Sequence, residues 1–451
     1  MTTTHTRARY AALFLAFATA LSLVSAQQIA PPPIPEAVRA AKLEEMVPVD
    51  PLITVGTLPN GFKYYVRENR LPQARAELRL AVNAGSVLED DDQRGLAHFV
   101  EHMAFNGTRN FPGNAIPTFM QSLGMRFGAH VNAHTGFDET VYELQIPTDN
   151  SGVIDRALTI FDDFAHNVTF DPREIDKERG VILEEWRLGL GADERIQDAQ
   201  FPILLKGSRY AERLPIGKPE IIQNVNHDRL KQFYADWYRP DLMAVVAVGD
   251  FDKSTIEALI RSHFGSIPVP SSPKPRQAYA VPDQSGTVYS VITDPEATYT
   301  RITVSSKMAA RPQESIGSYR QHMVEQLFSA MLSARLDEIA HAPNAPFLRA
   351  LTDRGLFVRT EEVTTLEALV ATGSVERGLT ALFTEVDRVA RFGFTATELS
   401  REKLNLQRGL QRSVIEKDKS TSGPLADEFV RNFIQAEPIP GIVYELSLIH
   451  I

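Results

Sequence analysis

Apolar positions along this chain recur with two periods, and the switch between them marks out its elements. Period 2 predicts half-buried strands. It runs through Ala76, Leu78, Leu80 and Val82, and two further strands are expected at 129–132 and 139–146 around a turn at His134-Thr-Gly136. Leu58-Pro-Asn60-Gly61 lies between apolar runs and predicts a hairpin, because Asn-Gly takes the positive φ that a tight turn needs. A continuous run, Met243 to Val248, predicts a fully buried strand. Period 3.6 predicts helices. The pattern places them around His98, at 116–123, at 151–167 with Val153, Ala157, Ile160, Phe161 and Phe164 as the stripe, at 172–188, at 228–237 and at 254–264. Asp90-Asp91-Asp92 is the expected cap of the His98 helix, and Asn106-Gly107 its stop.

Ile267-Pro-Val-Pro-Ser-Ser-Pro-Lys-Pro275 breaks every period and reads as a linker. The pattern then restarts, with strands expected at 288–293, 302–306 and 366–372 and helices at 313–340, 375–391 and 395–417. Strands followed by helices, twice over, predict an α+β protein of two similar domains, each a mostly antiparallel sheet packed with helices.

Composition narrows this picture at three points. The length of 451 residues suits more than one core. A formal net charge of −10 argues against nucleic acid as a partner. The absence of cysteine excludes disulfides, thiolate metal sites, a cysteine nucleophile and a lipoprotein anchor. At the start, Arg7 and Arg9 precede an apolar run from Tyr10 to Val24, and Val24-Ser25-Ala26 supplies the small residues of a signal-peptidase site. Cleavage after Ala26 is expected, with export to a bacterial periplasm and no stable membrane span afterwards. The alternative is an uncleaved anchor, for which the run is short against the roughly 20 residues of a membrane span. The expected organisation is a signal peptide at 1–26, a proline-rich leader at 27–49, a catalytic domain at 50–266, a linker at 267–278 and a non-catalytic, truncated second domain at 279–451.

The chemistry concentrates in His98-Phe-Val-Glu101-His102. On a helix these three side chains share one face. Two imidazoles one turn apart can reach a single Zn²⁺, and a carboxylate beside them can take a proton from water at an open metal position. Such a face is also what an ordinary solvated helix presents. A metal needs a third ligand, and the acid-rich helix 174–185 is the candidate donor: Glu178 and Glu185 lie two turns apart on one face, with Val181 and Ile182 between them.

His98-Phe-Val-Glu101-His102-Met-Ala-Phe-Asn-Gly-Thr108, followed by Lys177-Glu178 and Glu185-Trp186, resembles the pitrilysin/insulysin (M16, inverzincin) metallopeptidases. The resemblance covers roughly Thr57 to Phe264 and implies the LuxS/MPP-like metallohydrolase fold. It implies one Zn²⁺ per chain on His98, His102 and Glu185, with Glu101 as general base and Glu178 as a supporting acid. Glu184 is rejected as a ligand because it points about 100° away. Asn132 and Ala133 fall in a stretch that resembles the family's edge strand, implying substrate binding there. The implied activity is endopeptidase cleavage of peptides or small unfolded proteins. Family members close their chamber with a second half or subunit. The Arg209 to Pro219 stretch resembles the long bacterial branch, so the expectation is the N-terminal half of such a protein. Two other readings stand beside this one: a weak or inactive half that binds metal or peptide, and a periplasmic binding or scaffolding protein, which leaves Glu101 unexplained.

Overall fold

A computed structural model describes residues 42–189 and 191–449. The expected signal peptide, and the leader up to residue 41, lie outside the described residues. The architecture is α+β, with two sheets and helices packed on them.

The first sheet has six strands in the order β1-β2-β6-β3-β5-β4. β1 (Thr54–Thr57) and β2 (Lys63–Glu68) form the Asn60-Gly61 hairpin, in which Gly61 has φ 93°. β3 (Arg75–Val82) lies in the middle, and β4 (Val131–Thr135) and β5 (Thr140–Pro147) form a second hairpin. The turn sits at 136–139, where Gly136 N–H donates to Glu139 O (2.8 Å), so His134 and Thr135 belong to the strand and not, as expected, to the turn. β6 (Met243–Gly249) runs parallel to β2 and antiparallel to β3.

One face of this sheet holds the main core. α1 (Leu96–Phe105), α2 (Ala115–Ser122), α3 (Ser151–His166) and α4 (Pro172–Leu188) follow the expected pattern, as do α7 (His227–Trp237) and α8 (Lys253–Phe264). Between α4 and α7 two helices were not anticipated, α5 (Ala192–Leu204) and the short α6 (Pro219–Asn224). The cap of α1 also differs. Asp90 caps a separate 3-10 turn, and α1 begins after Gly95, where the Glu89 carboxylate accepts from Gly95 N (3.0 Å) and Ala97 N (2.8 Å). An acid on the first N–H groups satisfies donors that the helix cannot and faces its positive end. Gly95 has φ 101°, and a Cβ there would meet Gly217 and Ile222.

Between Phe264 and Thr300 there is no helix or strand, so the expected strand at 288–293 is not formed. Val291 in that run is 91% exposed, and alternation without a partner strand or a covering layer cannot hold a strand. The second sheet is antiparallel, in the order β7 (Thr300–Ala309), β9 (Glu361–Val370), β8 (Arg349–Val358). α9 (Ile316–Ala340) and α10 (Val375–Phe392) cover it around Leu336, Ala368, Val370 and Leu382, and α11 (Ala396–Glu416) follows.

α12 (Ser422–Gln435) then returns to the other face of the first sheet, and α13 (Ile442–Leu448) ends the described chain. Ala426 and Phe429 pack on Tyr65, Ala244, Val246 and Val248. This corrects the half-buried expectation for β3, which is buried on both faces. On the α12 side Arg79 is held by Glu77 (2.9 Å), Asp427 (3.2 Å) and Glu143 (3.5 Å). Nor is the end of the leader loose: Val47 N–H donates to Glu314 O (2.8 Å) and Asp50 N–H to Ile439 O (2.8 Å).

Candidate metal centre

α1 buries Leu96, Ala97, Phe99, Val100, Met103 and Ala104. That choice of inward face leaves His98 and His102 toward α4, with Glu101, also buried, toward β4. α4 starts on Asp171, whose side chain accepts from Arg173 N, with Pro172 in the first turn. Ile175, Glu178 and Ile182 are its buried residues, which turns Glu185 toward the histidines. Glu184 faces outward and pairs with Arg187 (2.5 Å).

The donor atoms of His98, His102 and Glu185 all lie within 4.8 Å of one another. The two Nε2 atoms are 3.2 Å apart, with the rings edge-on at 84°. His102 Nε2 is 3.3 Å from Glu185 Oε2, and His98 Nε2 is 3.7 Å from Oε1. Bonds of about 2.0–2.1 Å in a tetrahedron leave ligand atoms about 3.3–3.4 Å apart, so this triangle has the size a zinc ion requires. The residues present fit the metal. His102 Nδ1 lies 2.8 Å from Glu178 Oε1, and the other Glu178 oxygen accepts from Asn106 Nδ2 (2.7 Å). Glu178, 7% exposed, thus holds the proton on Nδ1, so that Nε2 is the atom left to a metal once its own proton is lost. His98 Nδ1 is buried with no hydrogen-bond partner among the described residues.

The two imidazoles differ electrostatically. Burial and the neighbouring His102 push His98 down, to about 4. Burial also works against the charged form of His102, but hydrogen bonds to Glu178 and Glu185 outweigh it and hold it up, to about 9. The hydrogen bond from His102 keeps Glu185 below the usual carboxylate range.

Glu101, 7% exposed, faces the same space. Its Oε2 accepts from Thr135 Oγ1 (2.7 Å), and burial raises its pKa. Thr135 ends β4, which is the edge of the sheet. The bonds Gln145 N–H to His130 O and Gly136 N–H to Glu139 O set which residues pair inward. By alternation Asn132 and His134 bond β5 through their main chains, while Ala133 and Thr135 direct N–H and C=O to the open edge. Ala133 therefore offers backbone groups there; Asn132 offers its exposed side chain. His134 approaches Glu143 (3.6 Å), and His130 Nδ1 accepts from Arg126 N (3.2 Å); neither joins the donor triangle.

These groups line a cavity of about 680 Å³ whose remaining wall includes Phe105, Pro117, Phe127, Pro215 and Ile216. Sequence reasoning missed Asn106 and Thr135. Asn106 stands at the stop signal of α1, where a capping role hid its side chain. Thr135 lies in the stretch singled out for its backbone, three residues beyond Asn132.

Two family models match the chain: insulinase (peptidase family M16) over residues 64–189 and the peptidase M16 inactive domain over residues 224–406. The zinc protease PQQL-like of Arabidopsis thaliana is 36% identical over 394 residues, 87% of this chain and 38% of that protein. The probable zinc protease PqqL of Haemophilus influenzae is 32% identical over 409 residues, 89% of this chain and 43% of that protein. The chain spans less than half the length of these curated relatives. The first half of the periplasmic protease PqqL from Escherichia coli superposes with a TM-score of 0.84 at 28% identity, over 89% of this chain and 86% of that one. Pitrilysin shares the fold, with a TM-score of 0.69 at 15% identity, over 90% of this chain and 43% of that one.

Proposed function

This chain belongs to the insulinase (M16) family of peptidases, and from that premise we propose that it is a zinc-dependent endopeptidase acting on peptides or small unfolded proteins. One observation carries the proposal. Three converging metal donors stand beside a buried carboxylate that is hydrogen-bonded to an open edge strand.

His98, His102 and Glu185 would hold the ion, which when bound lowers the pKa of a water at its open position and polarises a carbonyl. Glu101 would take a proton from the attacking water on Oε1, the oxygen Thr135 leaves free, as the water oxygen adds to the peptide carbonyl carbon, and would give that proton to the amine as the C–N bond breaks. Glu178 orients His102 and is steadied by Asn106. An extended peptide adds to β4 through the N–H and C=O of Ala133 and Thr135, with the Asn132 side chain beside it. That register lays the peptide backbone beside Glu101. We place the protein in the bacterial periplasm, supported by the apolar run before Ala26 and by the periplasmic relative.

A second reading is favoured by the share of its relatives that the chain spans: a half that binds metal and peptide but turns over only with a complementary half. The test is cleavage of a quenched peptide and zinc content for wild type and Glu101→Gln. The first reading expects zinc retained and turnover lost by at least about 100-fold in the variant. A variant that cleaves like wild type sinks the mechanism. A wild type that binds zinc and peptide without turnover selects the second reading.

A further inference from the structure

Asp138 takes no part in the chemistry above, yet it is 4% exposed and gathers donors from three distant parts of the chain. Tyr210 Oη donates to it at 3.0 and 3.2 Å, Arg276 Nη2 at 3.0 Å and Arg359 N–H at 3.3 Å. Arg359 Nε lies 3.5 Å from Oδ1. The same two guanidinium groups also hold the end of β3: Arg276 Nε donates to Asn83 O (2.8 Å) and Arg359 Nη1 to Asn83 Oδ1 (2.5 Å). Arg359 is at the tip of the β8–β9 hairpin, and Arg276 lies in the segment joining the two sheets. The clamp is thus supplied from beyond the unit that carries the metal centre.

Asp138 sits in the turn that leads out of β4. The neighbours of that turn are fixed as well: Ser86 N–H donates to Gly136 O (3.1 Å) and Val87 N–H to Phe137 O (2.9 Å). Immediately before the turn is Thr135, whose hydroxyl touches Glu101 Oε2 at 2.7 Å and Thr140 Oγ1 at 3.4 Å. A continuous path therefore runs to the carboxylate from beyond the first sheet: polar contacts join Arg276 and Arg359 to Asp138, the main chain of the 136–139 turn leads to Thr135, and its hydroxyl meets Glu101. A buried carboxylate between two partly buried cations is held in place, because moving it weakens the compensation of both.

We propose that Asp138, clamped by Arg276 and Arg359, is a positioning residue for the reaction, setting the turn that aims Thr135 at Glu101 and presents the open edge of β4 to the peptide. The proposal rests on Glu101 as the base and β4 as the peptide strand. It assigns work to the part of the chain that carries no metal donor.

The test uses the full-length, zinc-loaded protein and variants Asp138→Asn, Thr135→Ala, Thr135→Ser and Asp138→Asn/Thr135→Ala. Asp138→Asn keeps the shape and removes the charge. The expected results are zinc content unchanged, kcat lowered about 10-fold in Asp138→Asn and in Thr135→Ala, and near-wild-type kcat in Thr135→Ser. The double variant loses no more kcat than either single one, because both act through one contact. Amide exchange at Gly136 and Val87 rises in Asp138→Asn while the α1 core stays protected. Wild-type kcat in Asp138→Asn, losses that multiply in the double variant, or unchanged exchange at the turn would each overturn the proposal. Failure of the underlying reading shows elsewhere, as undiminished turnover in Glu101→Gln.

Discussion

If zinc binds as proposed, His102 must give up to the metal an atom that otherwise holds a proton. Its Nε2 faces Glu185 at 3.3 Å, and the acids around it keep it charged up to about 9. A metal must displace that proton, whereas His98, held down to about 4, offers a lone pair already free. Between these two values zinc affinity should therefore rise with pH by about one log unit per unit, and level off above about 9. Calorimetric titration in buffers of different ionisation enthalpy should find about one proton released at neutral pH. A pH-independent affinity would show that His102 binds zinc already neutral. The spacing of His98, Glu101 and His102 was legible because helix geometry alone puts i, i+3 and i+4 together. Asn106 and Thr135 were not, because what recruits them is the approach of α4 and of β4, each a product of tertiary packing.

At the scale of elements, most of the first sheet could be read from periodicity. The exception within it comes from a layer that arrives from far along the chain. β3 alternates like a half-buried strand, but α12 covers its second face, and the ion-paired Arg79 fills the polar positions there. β8 was overlooked because Asp353-Arg354-Gly355 interrupts its apolar pattern, while pairing with β9 holds it in place. The apolar run at 288–293 shows the converse, a strand pattern with no strand to join. α12 is anchored to the first sheet by one large aromatic side chain. Phe429 is fully buried against Tyr65, with ring centroids 6.1 Å apart. Phe429→Ala should cost about 3–5 kcal/mol in urea unfolding. A loss under about 1 kcal/mol would mean that α12 contributes little to the first sheet.

Over the whole molecule, acids gather where α12 and α13 meet. Burial first, then the neighbouring Glu445 and Glu437, push Glu428 up to about 7 from its usual 4.5. The folded state therefore binds a proton more tightly than the unfolded chain does. The stabilisation this proton gives is complete below about 4.5 and is lost as pH rises through about 7. Glu428→Gln should flatten the fall in melting temperature across that window and raise the value at pH 8. An identical pH profile in the variant would remove Glu428 as its source. The two-sheet plan and its fold class were legible from the repeated order of strands and helices. How the sheets communicate was not, since Arg276 and Arg359 look like any other surface arginines until Asp138 stands beside them.

The return of α12 to the first sheet, together with the docking of residues 43–50 beside α9, means that the molecule is laced rather than strung. Each side of the 267–275 stretch sends a segment across to the other: Gly317 N–H reaches Leu43 O (2.8 Å) in one direction, and Phe429 packs under Tyr65 in the other. A protease that nicks the exposed prolyl-seryl run there should give two bands on a denaturing gel and a single peak on a native sizing column. Two native peaks would mean that the crossings do not hold. If they do, the covalent bond between the sheets is the dispensable connection, and the reach of Arg359 to Asp138 survives its cleavage.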